Sequence, residues 1–431
     1  MKKIIALFSA GIMVFSLMAC SGGGGSASND SAPNSTSAGD SGAQSAAINF
    51  DQFSGSGDNE KFLIEMIDRY KDQNPHVDIK LQSYGYDDYF TQLSAKVAAG
   101  RAPDVFELNY ENFVAYAGNG SLKSLDGTGI DTSVYNDMAL KAFSKDGVQL
   151  GVPNSFSNVI LIYNKELFDR AGIAYPTNDW KWADAMAAAE TIRALDDNIY
   201  GYFHPLSFHE FYKTVAQNDG GFLSADGSSF TFNTPQNIET LTYMVDMQLK
   251  TNVMPTEAQL GGMGDWDLFK SGRLGMIING IWAFPDFTRD CDFEWDIVVE
   301  PGNIRKATHF FSNGYVVGNE SGVAEEAAKF ITFISSNPEA TQIRLDAAWE
   351  LPPVNDDSII SQYKAKTPPA NREAVFQSLD YLVTPPVISQ FAELQDIVGR
   401  HLSDAANGIM TPEECLESLQ AECESRIDLS K

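Results

Sequence analysis

Near the start of this chain, segments with the sequence pattern of β-strands alternate with segments that have the pattern of α-helices. Residues 48–53, 77–81 and 105–108 have strand patterns, whereas apolar residues between 62 and 70 and between 89 and 97 recur at helical spacing. This alternation predicts an α/β fold with a parallel sheet covered by helices on both faces. Ligands of such sheets bind beyond the carboxyl ends of the strands.

The rest of the sequence continues the same pattern. It predicts strands over residues 159–163, 274–278, 295–299 and 315–317, helices over 183–195, 238–249 and 324–334, and an acidic helical tail over 385–431. A folded region spanning residues 48–431 is too long for one ordinary hydrophobic core. We therefore expect two lobes.

The N-terminus predicts export. Two lysines precede an apolar run over residues 4–18, which is typical of a signal peptide and short for a membrane span. The segment Leu17-Met18-Ala19-Cys20 resembles the lipobox of bacterial lipoproteins, which implies a lipid-modified Cys20 as the new N-terminus. The next stretch is rich in Ser, Gly, Ala and Asn and is expected to be flexible. We expect a signal peptide over 1–19, a lipid-anchored linker over 20–47, and a folded domain outside the cytoplasm at the cell membrane; an ordinary secretory signal with a chance cysteine is the alternative.

Charge and cysteine spacing exclude several classes of function. The formal net charge of −28 argues against binding to nucleic acid or to anionic lipid head groups. Cys291, Cys415 and Cys423 show no CxxC spacing, so neither a zinc knuckle nor a redox motif is indicated. Cys415 and Cys423 lie about 12 Å apart along a predicted helix, too far for a disulfide, so we expect structural thiols.

Several short segments, taken in order, resemble the bacterial extracellular solute-binding proteins, the family of maltose-binding protein and its relatives that serve sugar importers. The resemblance rests on Arg101-Ala102-Pro103-Asp104-Val105 with Asn119-Gly120-Ser121-Leu122 and Leu125-Asp126, Gly151-Val152-Pro153 with residues 161–168 and Ala171-Gly172-Ile173, residues 269–276 with Asn279-Gly280-Ile281-Trp282, Asn313-Gly314-Tyr315-Val316-Val317 with residues 327–330, and Asn407-Gly408 with residues 411–414. It covers residues 48–431.

This resemblance implies a periplasmic-binding-protein-like fold, in which two discontinuous α/β lobes joined by a hinge enclose a ligand cleft. By analogy the chain crosses near Asn154, Glu300 and Phe333. The lobes would then comprise residues 48–153 with 301–333 and residues 154–300 with 334–431. The expected function is a monomeric solute-binding lipoprotein that delivers a carbohydrate, an oligosaccharide in our interpretation, to the permease of an ABC importer, without cofactor, metal or catalysis.

A sugar site needs flat aromatic rings for the apolar faces of the sugar and amides or carboxylates for its hydroxyl groups. By the resemblance, Trp282 is the stacking aromatic. Residues after the predicted strands, and residues in loops that correspond to cleft positions, complete the candidate set. The other candidates are Ser54, Gly55, Ser56, Tyr86, Asn109, Tyr110, Glu111, Phe156, Asn313, Gly314, Trp349 and Glu350.

Other motifs favour structure over function. Trp180 and Trp182 stand at a predicted helix start and are expected to pack within a lobe. His204 and His209 are five residues apart with a proline between them, which does not match the i, i+4 pair of a zinc protease. A glycoside-processing or adhesive lipoprotein remains the alternative to an importer component. A polyamine also remains open as the ligand, because Glu111 and Glu350 could bind its ammonium groups.

Overall fold

The computed structural model describes residues 45–430 except Ser56 and Val387. For Asp87 only the backbone is described. Its strands are β1 (Ala46–Gln52), β2 (Val77–Ser83), β3 (Val105–Asn109), β4 (Ser144–Lys145), β5 (Val148–Gln149), β6 (Gly151–Ser157), β7 (Val159–Asn164), β8 (Tyr200–Phe203), β9 (Leu274–Gly280), β10 (Trp295–Val298), β11 (Thr308–His309), β12 (Phe311–Val317) and β13 (Leu382–Val383).

The helices are α1 (Glu60–Gln73), α2 (Tyr86–Ala98), α3 (Tyr110–Gly118), α4 (Asp137–Lys141), α5 (Lys165–Ala171), α6 (Trp182–Arg193), α7 (Phe208–Gln217), α8 (Pro235–Leu249), α9 (Glu257–Leu260), α10 (Asp265–Lys270), α11 (Phe284–Asp290), α12 (Ala324–Ser336), α13 (Pro338–Asp346), α14 (Asp357–Ala365), α15 (Glu373–Ser378), α16 (Phe391–Ala406) and α17 (Pro412–Arg426). Short 3-10 helices span Gly57–Asn59 and Ile281–Ala283, among others.

The first sheet has the strand order β2-β1-β3-β12-β6. Strand β1 pairs in parallel with β2 and β3, as the alternating pattern predicts. Strand β12, however, runs antiparallel to both β3 and β6, so the sheet is mixed rather than purely parallel. The local pattern of β12 could not reveal this, because its partners lie far away in the sequence. Helix α1 covers this sheet with the apolar face that the sequence predicts.

The second sheet has the order β10-β7-β9-β8, in which β8 and β9 are parallel and the other pairs antiparallel. All six residues of β7 are buried, as expected for a central strand covered on both faces. Helices α5 and α6 pack against this sheet. Trp182 lies here, stacked on Tyr243 with ring centroids 4.2 Å apart. The indole therefore packs within the lobe and away from the cleft.

The described strands show two crossings between the two sheets, and we infer a third from the first lobe back to the second. The first crossing is Asn158, between β6 and β7, a few residues after the expected Asn154. The second lies between β10 and β12 and includes Glu300. Helix α13 still packs against α1 and α12, and Val354 pairs with Tyr135, so we propose that the third crossing follows Val354 and not Phe333.

Residues Gln44–Lys431 form one compact unit with its own cores. Strand β1 starts at Ala46, so the last two residues of the expected linker belong to the strand. The thiols of Cys415 and Cys423 are free and buried, and burial raises the pKa of each to about 12. Within the described part of the chain, no helix has the length and apolarity required to span a bilayer.

Candidate functional site

A cleft of about 580 Å³ lies between the carboxyl-terminal edge of the first sheet and helices of the second lobe. Six aromatic side chains line it, accompanied by amide, hydroxyl and charged groups. The lining residues are Phe53, Ser54, Asp58, Asn59, Tyr86, Asn109, Ser157, His209, Trp266, Trp282, Pro285, Asp286, Arg289, Phe311, Asn313, Trp349 and Glu350.

The turn after β1 is held by the buried carboxylate of Glu107. Its Oε2 accepts hydrogen bonds from the backbone N–H of Phe53 at 3.0 Å and of Ser54 at 2.9 Å. Its Oε1 accepts from the Ser54 hydroxyl at 2.5 Å and from the Asn154 amide at 2.6 Å. The sequence suggests that N–H groups of this turn could bind a ligand, but the protein's own side chains already use them. Glu107 was not among the predicted residues, since a carboxylate inside a strand gives no local signal.

Gly55 allows an indole to approach this turn. A Cβ atom at Gly55 would lie 2.9 Å from the Trp349 ring and 2.9 Å from Leu63. The Arg344 guanidinium also contacts this indole, 4.0 Å from the centroid of the Trp349 ring. Trp349 is only 3% exposed. It therefore contributes an edge of the cleft wall and not an open stacking face.

Polar groups of β3 and β12 meet at the sheet edge. Asn313 lies opposite Asn109 in the register of these strands. Asn109 caps α3 by accepting from the backbone N–H of Asn112 at 3.2 Å, and its amide donates to the Tyr86 hydroxyl at 3.3 Å. Tyr86 is 47% exposed, with its ring edge against Phe53. These amides and this half-open ring form a first-lobe wall that can bind hydroxyl groups.

Trp282 lies on the opposite wall, in the turn that follows β9. Its indole folds back over Gly280, where a Cβ atom would meet the ring at 2.0 Å. The ring of Phe311 contacts it edge-on at 5.1 Å. Trp282 is partly buried and lines the cleft. It has the geometry required of a platform for an apolar ligand face.

Helices α10 and α11 add lining residues that the sequence did not predict. Trp266 stands on α10 and contacts Phe287 at 5.7 Å. Arg289 on α11 forms an ion pair with Asp58 of the first lobe at 3.1 Å, so it spans the two walls. A motif search could not find these residues, because α10 and α11 are only six and seven residues long and have no distinctive spacing.

The cleft is acidic, with Asp58, Asp286 and Glu350 against a single lining arginine, Arg289. Burial raises the pKa of Glu350. Burial also lowers the pKa of His209 to about 4, so this imidazole is neutral at pH 7. Such a lining disfavours anionic ligands and suits neutral, hydroxyl-rich ones.

Other predicted residues lie outside the cleft lining. Phe156 packs in the core beside Leu351, and Gly314 lies beneath the Phe143 ring, 2.7 Å from where its Cβ atom would be. Tyr110 faces a separate apolar groove of about 470 Å³. Glu111 is buried against His309. Ser56 and Cys20 lie outside the described residues.

Comparison with known proteins places this fold and cleft in a family. Residues 65–371 match the family model described as bacterial extracellular solute-binding protein. The arabinooligosaccharide-binding protein of Bacillus subtilis (strain 168) is 23% identical over 301 residues, which cover 66% of this chain and 68% of that protein.

Solved structures show the same architecture. An ABC substrate-binding protein from Listeria monocytogenes, solved in complex with cycloalternan, is 42% identical with a TM-score of 0.85, covering 89% of this chain and 99% of that one. A cyclic alpha-maltosyl-1,6-maltose binding protein from Arthrobacter globiformis shares the fold at 23% identity and a TM-score of 0.71, covering 88% and 98%. The chain therefore belongs to the bacterial extracellular solute-binding protein family.

Proposed function

We propose that this solute-binding protein captures a neutral oligosaccharide in the interlobe cleft and delivers it to the permease of an ABC importer. The observation that carries the proposal is the lining of the cleft: six aromatic rings together with asparagine, serine, histidine and carboxylate groups. Rings stack on the apolar faces of sugars, and the polar groups bind their hydroxyls. The volume of about 580 Å³ is within the range of about 300–1,000 Å³ typical of small-molecule sites.

The ligand class can be narrowed to a compact oligosaccharide. The Listeria relative was solved with cycloalternan, and the Bacillus relative is named for arabinooligosaccharides. The ion pair between Asp58 and Arg289 joins the two walls of the cleft and favours a short or closed molecule over a long chain that must extend beyond them. We infer that a cyclic or short α-glucan is the ligand, with an arabinooligosaccharide as the second candidate.

The protein is a reversible binder and not an enzyme in this proposal. Family members are binding proteins, and two of the three cleft carboxylates are ion-paired: Asp58 and Asp286 both pair with Arg289, which leaves Glu350 alone without an ion pair among the described residues. A glycosidase needs one carboxylate to donate a proton and a second to act as nucleophile or base. Ion-paired carboxylates of this kind suit ligand binding and cleft closure.

Membrane attachment is proposed through Cys20. A signal peptide over 1–19 and a flexible linker from Cys20 to the start of β1 would hold a monomeric binding domain on the extracytoplasmic face of the membrane. Lipid chains on one cysteine would then be the only strong attachment required. The acidic surface keeps such a domain away from anionic lipid head groups.

Calorimetric titration of residues 44–431 tests the ligand assignment. Cycloalternan, maltotetraose, an arabinotriose and spermidine are titrated separately, and each glycan is recovered by chromatography after overnight incubation. We expect micromolar or tighter binding of at least one neutral glycan, no binding of spermidine, and intact glycans. Binding of spermidine alone, or release of shortened glycans, would overturn the proposal.

A further inference from the structure

Three potential metal ligands meet beside the cleft, and one of them, His209, belongs to its lining. Glu111 lies in the first turn of α3, His209 in the first turn of α7, and His309 on the crossing strand β11. The Oε1 atom of Glu111 is 3.1 Å from Nε2 of His309 and 4.0 Å from Nε2 of His209. One ligand atom from each residue fits within 4.8 Å. The three segments come from the first lobe, the second lobe and the connection between them.

His309 is hydrogen-bonded through both of its ring nitrogens. Nδ1 is bonded to the Tyr212 hydroxyl, which also lies 3.2 Å from the Val383 carbonyl oxygen. Nε2 lies 3.1 Å from the Glu111 carboxylate, so either a proton or a metal ion bridges these two atoms.

No ammonium or guanidinium of the described chain pairs with Glu111. Within the described residues, Glu111 forms ion pairs only with His209 and His309, and its Oε2 has no hydrogen-bond partner. An external cation held by this carboxylate and the two imidazoles would supply the missing partner.

A neighbouring cluster shows the alternative arrangement. Glu210 and Glu300 enclose the Lys213 ammonium, which lies 2.5 Å and 2.8 Å from their oxygens. That cluster also contains His204 and has the composition of a metal site, but the Lys213 ammonium already serves as its cation. The charge of Lys213 is balanced by these two carboxylates. The Glu111 cluster has no such internal partner.

We propose that Glu111, His209 and His309 bind one divalent transition-metal ion of the zinc class. Two imidazole nitrogens and one carboxylate oxygen are a ligand set that Zn²⁺ prefers, and the Tyr212 hydroxyl orients His309 as an outer-shell partner does. His209 also lines the cleft, so the ion would lie beside the ligand space. The site goes beyond sugar binding, and it would join the two lobes.

Zinc titration of tag-free residues 44–431, freed of metal by a chelator that is then removed, tests the proposal. We expect calorimetry at pH 7 to give one Zn²⁺ per chain. Glu111→Gln and His209→Asn should each weaken binding at least tenfold. The matched control is His76→Asn, a surface histidine 3.5 Å from Glu326, which should leave zinc binding unchanged.

Cobalt supplies a readout that does not depend on variant stability. Co²⁺ in a site with two imidazoles and a carboxylate should give visible d–d absorption in the parent protein, titrating to one equivalent and displaced by Zn²⁺. The proposal is overturned if the parent gives no stoichiometric zinc binding or no such absorption. It is equally overturned if folded Glu111→Gln and His209→Asn bind Zn²⁺ as the parent does, since surface carboxylates would then be the ligands. Glycan titrations without metal are unaffected by either result, so failure here leaves the sugar assignment standing.

Discussion

At the scale of single residues, small side chains decide where the aromatic rings of the cleft lie. Gly280 leaves space for Trp282 to fold over the end of β9, and Gly55 leaves space for Trp349 beside the turn after β1. The outcome differs for the two indoles. Trp282 stays partly exposed, with its ring perpendicular to that of Phe311, whereas Trp349 is enclosed. Trp282 is therefore the ring whose loss should be seen in ligand affinity.

Trp282→Ala should weaken glycan binding by about 1.5–4 kcal/mol, because stacking buries apolar C–H groups and truncation of a central anchor has this magnitude. Trp282→Phe should recover part of the loss. The stability of the unliganded protein should change modestly, since the ring is only partly packed. Titration calorimetry beside melting curves measures both quantities.

The matched control for this experiment is Trp182→Ala. That indole is 6% exposed, stacks on Tyr243, donates to Gln217 at 2.7 Å and does not belong to the cleft lining. Its loss should lower the free energy of unfolding by about 3–5 kcal/mol and leave affinity nearly intact. The reverse pattern in the two variants would contradict the stacking role of Trp282.

Sequence reasoning could locate the cleft edge but not the direction of each side chain there. Asn109, Tyr110 and Glu111 all follow β3, yet helix α3 begins at Tyr110. Successive helical residues point about 100° apart, so Asn109 lines the cleft, Tyr110 a second groove, and Glu111 the buried cluster with His309. Nothing in three adjacent letters determines where the helix starts.

At the scale of elements, the alternating pattern predicted β1, α1, β2, α2 and β3 because each has a clear period and a one-sided apolar face. It could not predict the antiparallel insertion of β12, which depends on pairing with β3 and β6. It also missed the cleft-lining helices α10 and α11, which are too short for a helical period to be detected. Long-range pairing and short elements are the parts of the fold that local periodicity does not encode.

The buried ammonium of Lys213 links helix α7 to Glu300, which lies in the chain crossing between β10 and β12. Lys213→Met should lower the free energy of unfolding at pH 7 by about 3–5 kcal/mol, because it leaves Glu210 and Glu300 buried without their cation. Chemical denaturation measures the change. The exposed pair of Lys250 and Asp246 on α8 provides the control: Lys250→Met should change stability by less than about 1 kcal/mol.

The pH dependence of this variant has a definite sign. Burial alone would raise the pKa of Glu210, but Lys213 and His204 outweigh it and hold the pKa at about 2, below its usual value of 4.5. The stabilising contribution of ionised Glu210 is therefore complete above about pH 4.5 and is lost as the pH falls towards 2. The stability difference between parent and Lys213→Met should shrink as the pH falls from about 4.5 towards 2. A difference that stays constant or grows on acidification would contradict this account.

At the scale of the whole molecule, the proposed membrane attachment rests on Cys20. Cys20→Ala should release the protein into soluble fractions or block its processing, because lipid chains on this residue would be its only strong attachment. Fractionation of cells expressing the parent and the variant measures the distribution. Cys291→Ala, which removes a half-buried thiol of the folded domain, is the control and should remain with the membrane. Normal membrane association of Cys20→Ala would contradict the lipid anchor.

The two lobes are also joined across the cleft by the ion pair between Asp58 and Arg289 at 3.1 Å. Both side chains are largely exposed, at 81% and 53%, so the pair should contribute only about 0.2–1 kcal/mol. The ion pair exists only when the lobes are close together. Its loss should therefore mainly increase the rate at which the cleft opens. Asp58→Asn should therefore raise the rate constant of glycan dissociation by a few-fold and change the association rate constant little.

Stopped-flow measurement of the intrinsic tryptophan fluorescence at low and high salt tests this prediction. The difference between parent and Asp58→Asn should be largest at low ionic strength and nearly vanish in about 1 M NaCl, where charges are screened within about 3 Å. Glu65→Gln removes an exposed pair of similar geometry that lies within α1, with Arg69 at 3.6 Å, and should leave dissociation unchanged. If Asp58→Asn dissociates like the parent at every salt concentration, the ion pair does not hold the cleft closed, and closure depends on the ligand contacts of the two walls alone.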